Sequence, residues 1–248
     1  VINDIVKIQS SRYMNLPRKL SFSVHSLIAQ KPELWWLYKP YLEWGQMKRK
    51  AIGIDPKEGL LLPDTELVID GFQGSANSFA TVAFKHFQSK PVRLMHHRHA
   101  PILIVQAIEQ QVPVLLTIRE PVGTVISLTS RWPHISVTQA LKSYIGFYTT
   151  LKPYFSHCVV STFEQTTQHL DRSIAAINNK FGTHFDLIDV DRANSECRKK
   201  ISDSPERAAG RKFLKEHNHQ QLRSHKNQFL LSKAISLYQE YETLSRSK

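Results

Sequence analysis

Residues 67–79 read LVIDGFQGSANSF, and this short passage decides how the chain is built. Leu67-Val68-Ile69 is an apolar run ended by Asp70-Gly71, the pattern of a short buried strand. Beyond the Gly/Ser-rich turn, Phe79, Val82, Ala83 and Phe87 recur at helical spacing. Two glycines and small residues between a strand and a helix let backbone N–H groups converge on an anion at the helix N-terminus. Ser75 and Ser78 offer hydroxyl donors there; a tight βα turn that keeps small residues for packing reads the same string as well. Ala76-Asn77-Ser78 stands where a magnesium-dependent nucleotide hydrolase carries Gly-Lys-Ser/Thr, which disfavours that class.

Outward from this unit the alternation continues. Val92–Met95, Val112–Ile118 and Cys158–Phe163 are predicted strands, the middle one apolar almost throughout, as a strand covered on both faces should be. Pro101 and Pro121 are placed to open helices. Val137 to Tyr148 and Ile174 to Phe181 carry helical stripes, and Leu231, Ile235, Tyr238 and Tyr241 form a last one. Strands alternating with helices predict an α/β fold, a parallel β-sheet flanked by helices on both faces. Ligands bind such sheets at the carboxyl ends of the strands, so the turns after Asp70, Met95, Ile118 and Phe163 are where chemistry belongs. The expected organisation is one domain over 1–248, with an irregular or helical part at 1–64, a core at 65–182 and a basic helical part at 183–248. Within 33–44, ELWWLYKPYLEW is dense in aromatics, with Pro40 expected to interrupt any helix. Packing on the domain's flank is the first reading of that segment, and a membrane-surface or acceptor-lining role the second.

Composition narrows the partners. Against 21 Asp+Glu stand 33 Lys+Arg, a net charge of +12 that favours anionic partners without choosing among them. With 41% hydrophobic residues the chain has material for a core, and disorder is excluded. Cys158 and Cys197 form neither a disulfide framework nor a zinc spacing, so a reducing, cytoplasmic setting is expected. No apolar run approaches the roughly 20 residues of a membrane span.

Two further segments carry candidate chemistry. Arg119–Arg131 reads REPVGTVISLTSR, with Arg119 at a strand end and Ser127 eight residues later on the helix. A guanidinium fork and a hydroxyl suit a phosphate monoester; a salt-bridged arginine and a surface serine are the plain alternative. Met95–Pro101 reads MHHRHAP, and three histidines in four positions invite a zinc reading that no i, i+4 pair or nearby cysteine supports. No metal is expected. A histidine at this strand end also suits general-base work near neutral pH, and a surface histidine at a helix start is the bland reading.

Together these motifs resemble the sulfotransferase superfamily, over about Glu66 to Glu164, and its bacterial members more than the animal cytosolic ones. Ser75, Ala76, Asn77, Ser78 and Phe79 are similar to the family's 5′-phosphosulfate loop; Gln73 stands for its proline and Gly74 for its basic residue. The resemblance implies a P-loop type of fold and the cofactor 3′-phosphoadenosine 5′-phosphosulfate, with adenosine 3′,5′-bisphosphate as its product. It implies that Arg119 and Ser127 hold the 3′-phosphate and that Phe79 lies against adenine, with Phe163 nearby. A loose match at 207–212 implies that Arg207 helps close the 3′-phosphate site, though a solvated basic helix face accounts for most charges there. His99, two residues before Pro101, takes the position of the general base toward a hydroxyl or amine acceptor. Arg98 is then the nearest cation to compensate for Gly74. Two rivals stand beside this expectation: a nucleotide-binding protein without turnover, suggested by Gly74, and a basic polyanion binder, suggested by the net charge. Nucleic acid is the less expected partner.

Overall fold

The computed structural model describes residues 16–197 and 205–246, with side chains described over 20–197 and 209–246. Helices α1 (Leu16–Ala29) and α2 (Trp35–Ala51) lead into an alternating core. The core runs β1 (Leu67–Gly71), α3 (Asn77–Phe87), β2 (Leu94–His96), α4 (Pro101–Glu109), β3 (Val114–Ile118) and α5 (Pro121–Arg131). It continues through α6 (Val137–Leu151), β4 (Val159–Thr162), α7 (Phe163–Gln168) and α8 (Leu170–Phe181), and the chain closes with α9 (Pro205–Arg223) and α10 (His225–Arg246).

The four strands pair in parallel in the order β2-β1-β3-β4, all four near the positions expected. Alternation along the strands distributes their side chains between two cores. Val68, Val114, Leu116, Ile118 and Val160 join one cluster with α4, α6 and α10. Leu67, Ile69, Leu115 and Val159 join the other, under α3 and α8. Every residue of β1 and β3 is buried, which is why Leu67–Ile69 and Val114–Leu116 are continuous apolar runs, with the buried Asp70 and Thr117 coming only towards the carboxyl ends.

Local chemistry sets the helix starts. Pro101 and Pro121 occupy first-turn positions, where a missing N–H costs nothing. Ser136 with Gln139 and Thr162 with Gln165 form capping boxes. The second box corrects the expected fourth strand: Thr162 ends it, and Phe163 is the first residue of α7 rather than a strand residue. A second correction concerns Pro40, because α2 runs unbroken through it. Pro40 and Trp36 are both exposed there, so water can take the carbonyl that the ring cannot serve. The aromatic segment divides. Tyr38 is buried and Trp35 packs against the core, while Trp36 and Trp44 stay exposed.

The order β2-β1-β3-β4 also fixes where a ligand fits. The connection after β1 leads to one side of the sheet and the connection after β3 to the other, so a crevice opens beyond their carboxyl ends.

Candidate functional site

A cleft of about 770 Å³ occupies that crevice. Gln73, Gly74, Ala76, Asn77, Ser78 and Phe79 line it from the loop after β1, His97 and His99 from the end of β2, and Arg119 and Ser127 from β3 and α5. Phe163 adds the first residue of α7. Most of the residues singled out in the sequence therefore meet at one place, although up to 90 positions separate them.

The loop enters α3 through Ala76, a left-handed residue with φ 71° whose side chain caps nothing. The first N–H groups of α3 thus lack a side-chain cap, leaving donors and the positive end of the helix dipole facing the cleft. Ser75 and Asn77 serve the loop from within. The Ser75 hydroxyl is buried and donates to the Phe72 carbonyl at 2.6 Å. The Asn77 amide donates to the Phe72 carbonyl at 3.0 Å and accepts from Thr117 Oγ1. Ser75 is therefore a brace of the loop, not a donor to a ligand, because its hydrogen is spent on the backbone. Phe79 is likewise drawn into the core with Ala83 and Phe84 and is only 3% exposed, so its ring offers an adenine little surface. Trp132, half exposed on the opposite wall and unmarked in the sequence, offers more.

Gly74 has φ 93°, and a Cβ there would lie 3.6 Å from Ser127 Oγ. Its identity follows from this backbone: L-residues adopt such a conformation only under strain. Gly74→Lys will accordingly destabilise the fold by about 1 kcal/mol instead of simply restoring a cation, read as a lower urea midpoint at unchanged slope. An unchanged midpoint would show that the loop relaxes freely. Arg98 does not fill the gap either. Its Nε donates to the Gly59 carbonyl at 2.7 Å and its Nη2 to the Glu58 carbonyl at 2.6 Å, on the far side of the strand end. The expected compensation by Arg98 is thus corrected: these carbonyls of the preceding loop hold its guanidinium.

His99 is held from beneath. Its Nδ1 lies 2.8 Å from the Gly71 carbonyl and 3.2 Å from Asp70 Oδ1; both are acceptors, so Nδ1 carries a hydrogen. Nε2 is then the nitrogen left for chemistry, on a side chain 18% exposed to the cleft. Asp70 is fully buried and accepts from the Gly71 N–H at 2.8 Å and from the Arg98 and His99 N–H groups at 2.9 Å each. Burial opposes its charge, but the His99 imidazole and these hydrogen bonds prevail and hold its carboxyl below the usual range. Burial likewise opposes protonation of His99, and the Asp70 charge and hydrogen bond prevail to hold it above the ordinary imidazole value. This pair leaves no mark in the sequence, where Asp70 reads only as the stop of a strand.

Arg119 Nη1 reaches the Gly74 carbonyl at 3.4 Å, so the two motifs, 45 residues apart, touch. Its guanidinium carbon sits 4.2 Å from the centre of the Phe163 ring, which makes Phe163 a support for Arg119. Gly123 leaves room beside it: a Cβ there would fall 2.9 Å from Arg119 Nη2 and meet the Glu120 carboxylate that caps α5, so both side chains would have to shift. Two tyrosines on α6 brace the strand end from behind, Tyr144 donating to the Arg119 carbonyl at 2.8 Å and Tyr148 to the Thr117 carbonyl at 3.0 Å. Farther along the wall Arg131 enters the cleft, and Arg211 of α9 lies near enough that burial and the Arg131 charge both disfavour its own. Arg211 is thus the residue of 207–212 that the structure brings near Arg131. Arg207 is in α9, in a stretch whose side chains lie outside those described. Phe22 of α1 and His134 complete the walls, neither singled out in the sequence.

The three histidines do not converge on one point, and among the described residues no group of three or more His, Cys, Asp or Glu is arranged to hold a metal ion. Cys158 and Cys197 are both buried. No described helix is long and apolar enough to cross a membrane. The fold and site thus define an α/β protein with an all-parallel sheet and a basic, histidine-bearing cleft at its switch point. Comparison with protein families, with curated proteins and with solved structures gave no match to this chain.

Proposed function

We propose that the chain is a sulfotransferase of P-loop type that moves a sulfuryl group from 3′-phosphoadenosine 5′-phosphosulfate to a hydroxyl or amine acceptor. One observation carries the reading: Arg119, Ser127 and the uncapped start of α3 share a cleft with a histidine oriented by a buried aspartate. In this mechanism the acceptor oxygen or nitrogen attacks sulfur as the bond from sulfur to the 5′-phosphate oxygen breaks. The acceptor's proton passes to His99 Nε2, and adenosine 3′,5′-bisphosphate departs. The N–H groups at the start of α3 and the Ser78 hydroxyl meet the charge that develops on the leaving phosphate. Arg119 and Ser127 bind the 3′-phosphate, with Arg131 and Arg211 beyond them.

A second reading is favoured by Gly74 and Arg98. With Gly74 in the loop and Arg98 held by the Glu58 and Gly59 carbonyls, neither of the two positions expected to offer the leaving phosphate a cation does so, which suits a nucleotide-binding protein without turnover. Supplying the purified protein with the sulfate donor and a cell extract, and reading sulfated products by mass spectrometry, separates the two. Donor-dependent products that vanish with His99→Ala support transfer. Nucleotide binding without any product supports the second reading, and salt-dependent polyanion binding unaffected by the nucleotide overturns both.

A further inference from the structure

A file of hydrogen bonds leads from the loop to the protein surface. Ser78 Oγ lies 2.9 Å from His97 Nε2, and His97 Nδ1 lies 2.8 Å from His96 Nδ1. His96 Nε2 lies 2.8 Å from Glu58 Oε1. Lys85 Nζ bonds the same carboxylate oxygen and stands 3.2 Å from the same His96 nitrogen.

The direction of this file follows from the atoms. The Lys85 hydrogen bond, with that of His96, holds Glu58 at a pKa of about 2, so near neutral pH Glu58 only accepts. His96 Nε2 must therefore carry a hydrogen. Burial lowers the pKa of His96, and burial and the His99 charge lower that of His97 to about 4, so each ring is neutral with a single hydrogen. His96 Nδ1 is then bare and accepts from His97 Nδ1–H. His97 Nε2 is bare in turn and accepts from the Ser78 hydroxyl. Every hydrogen points away from the cleft, and Ser78 presents lone pairs to the place where an anion would sit.

We propose that Glu58, His96 and His97 are positioning residues that set the direction of the Ser78 hydroxyl, and that an anion at the loop reverses the file. The inference rests on reading this loop as an anion site. After reversal Lys85 donates to His96 Nε2, His96 Nδ1–H to His97 Nδ1, and His97 Nε2–H to Ser78, whose own hydrogen turns to the anion. Protons balance: the Ser78 proton passes to His97, the His97 proton to His96, and the His96 Nε2 proton leaves through Glu58 to water. Ser78 takes one proton from water in the cleft. Glu58 and Lys85, both on the exposed outer side, thereby influence affinity without touching the ligand.

Nitrogen-15 NMR of the histidine rings tests this directly. Free protein at neutral pH should show His97 protonated on Nδ1, and saturation with adenosine 3′,5′-bisphosphate should move that proton to Nε2. Glu58→Gln, whose amide can donate to or accept from His96, should tighten binding of that nucleotide about 2- to 10-fold, the worth of one hydrogen bond no longer held in reserve. In a Ser78→Ala background the Glu58→Gln gain should vanish. A free His97 protonated on Nε2 or charged overturns the assigned direction. An unchanged tautomer on saturation, or a Glu58→Gln gain that survives Ser78→Ala, overturns the reversal. If neither the nucleotide nor pyrophosphate binds, the anion site and the reversal both fail, and the free-protein tautomer still decides the direction.

Discussion

Replacing His99 by alanine will lower sulfuryl transfer by about 100-fold or more, with donor affinity little changed. The expectation rests on the ring's two nitrogens having separate tasks. Nδ1 is committed to Asp70 and the Gly71 carbonyl, and Nε2 is left to take the acceptor's proton. Because removing the ring also withdraws a partner from a buried carboxylate, His99→Gln, which keeps a donor, belongs beside it. Both variants must be shown folded by urea unfolding before rates are compared. The pH profile carries a second check. His99 must be neutral to act as base, and Asp70 holds its pKa above the ordinary value of about 6.5. The rate should therefore rise with pH through a value above that figure, and fall as acid protonates the ring. Folded variants that retain full rate, or a wild-type rate independent of pH between 6 and 9, would remove His99 from this role.

Adenosine 3′,5′-bisphosphate should bind about 10- to 100-fold more tightly than ADP, in the absence of Mg²⁺. The nucleotides differ in where the second phosphate sits, and only the first places one at the ribose 3′ position beside Arg119 and Ser127. A charge-assisted hydrogen bond from a guanidinium contributes about 1.5–3 kcal/mol, which sets the range. Arg119→Ala should abolish most of the difference while leaving ADP binding nearly as it was. Arg119→Lys should restore only part, since a point charge cannot reproduce the fork that rests on Phe163. Calorimetry that finds equal affinities for the two nucleotides in the native protein would sink the assignment. A preference for ADP that depends on Mg²⁺ would point to nucleotide hydrolysis instead.

Much of the architecture was written locally. Fully buried parallel strands are apolar wherever no hydrogen-bond partner waits for a polar side chain, and Leu67–Ile69 and Val114–Leu116 are. Pro101 and Pro121 marked helix starts because a fixed φ and a missing N–H suit the first turn and little else. The turn after β1 was legible as a candidate loop because small residues between a strand and a helix have few other uses. Where local signs failed, a neighbour decided. Pro40 read as a break, yet its helix continues because that face meets water. Thr162 and Gln165 held a helix start that a strand-like run concealed.

The sequence by itself determined the alternation of strands and helices, the sheet's parallel character and the set of candidate residues for chemistry. These depend on side-chain period, on φ preferences and on spacing along a continuous chain. Only the tertiary structure decided which of those residues face a ligand. Ser75 turns inward to the Phe72 carbonyl and Arg98 turns away to Glu58 and Gly59, while Arg119 is brought against Gly74 and His99 against Asp70. The reason is that a polar side chain loses water on burial and must satisfy its hydrogen bonds with whatever the fold places beside it. Those neighbours come from distant parts of the chain, so the direction of each donor is fixed only once the strands have paired.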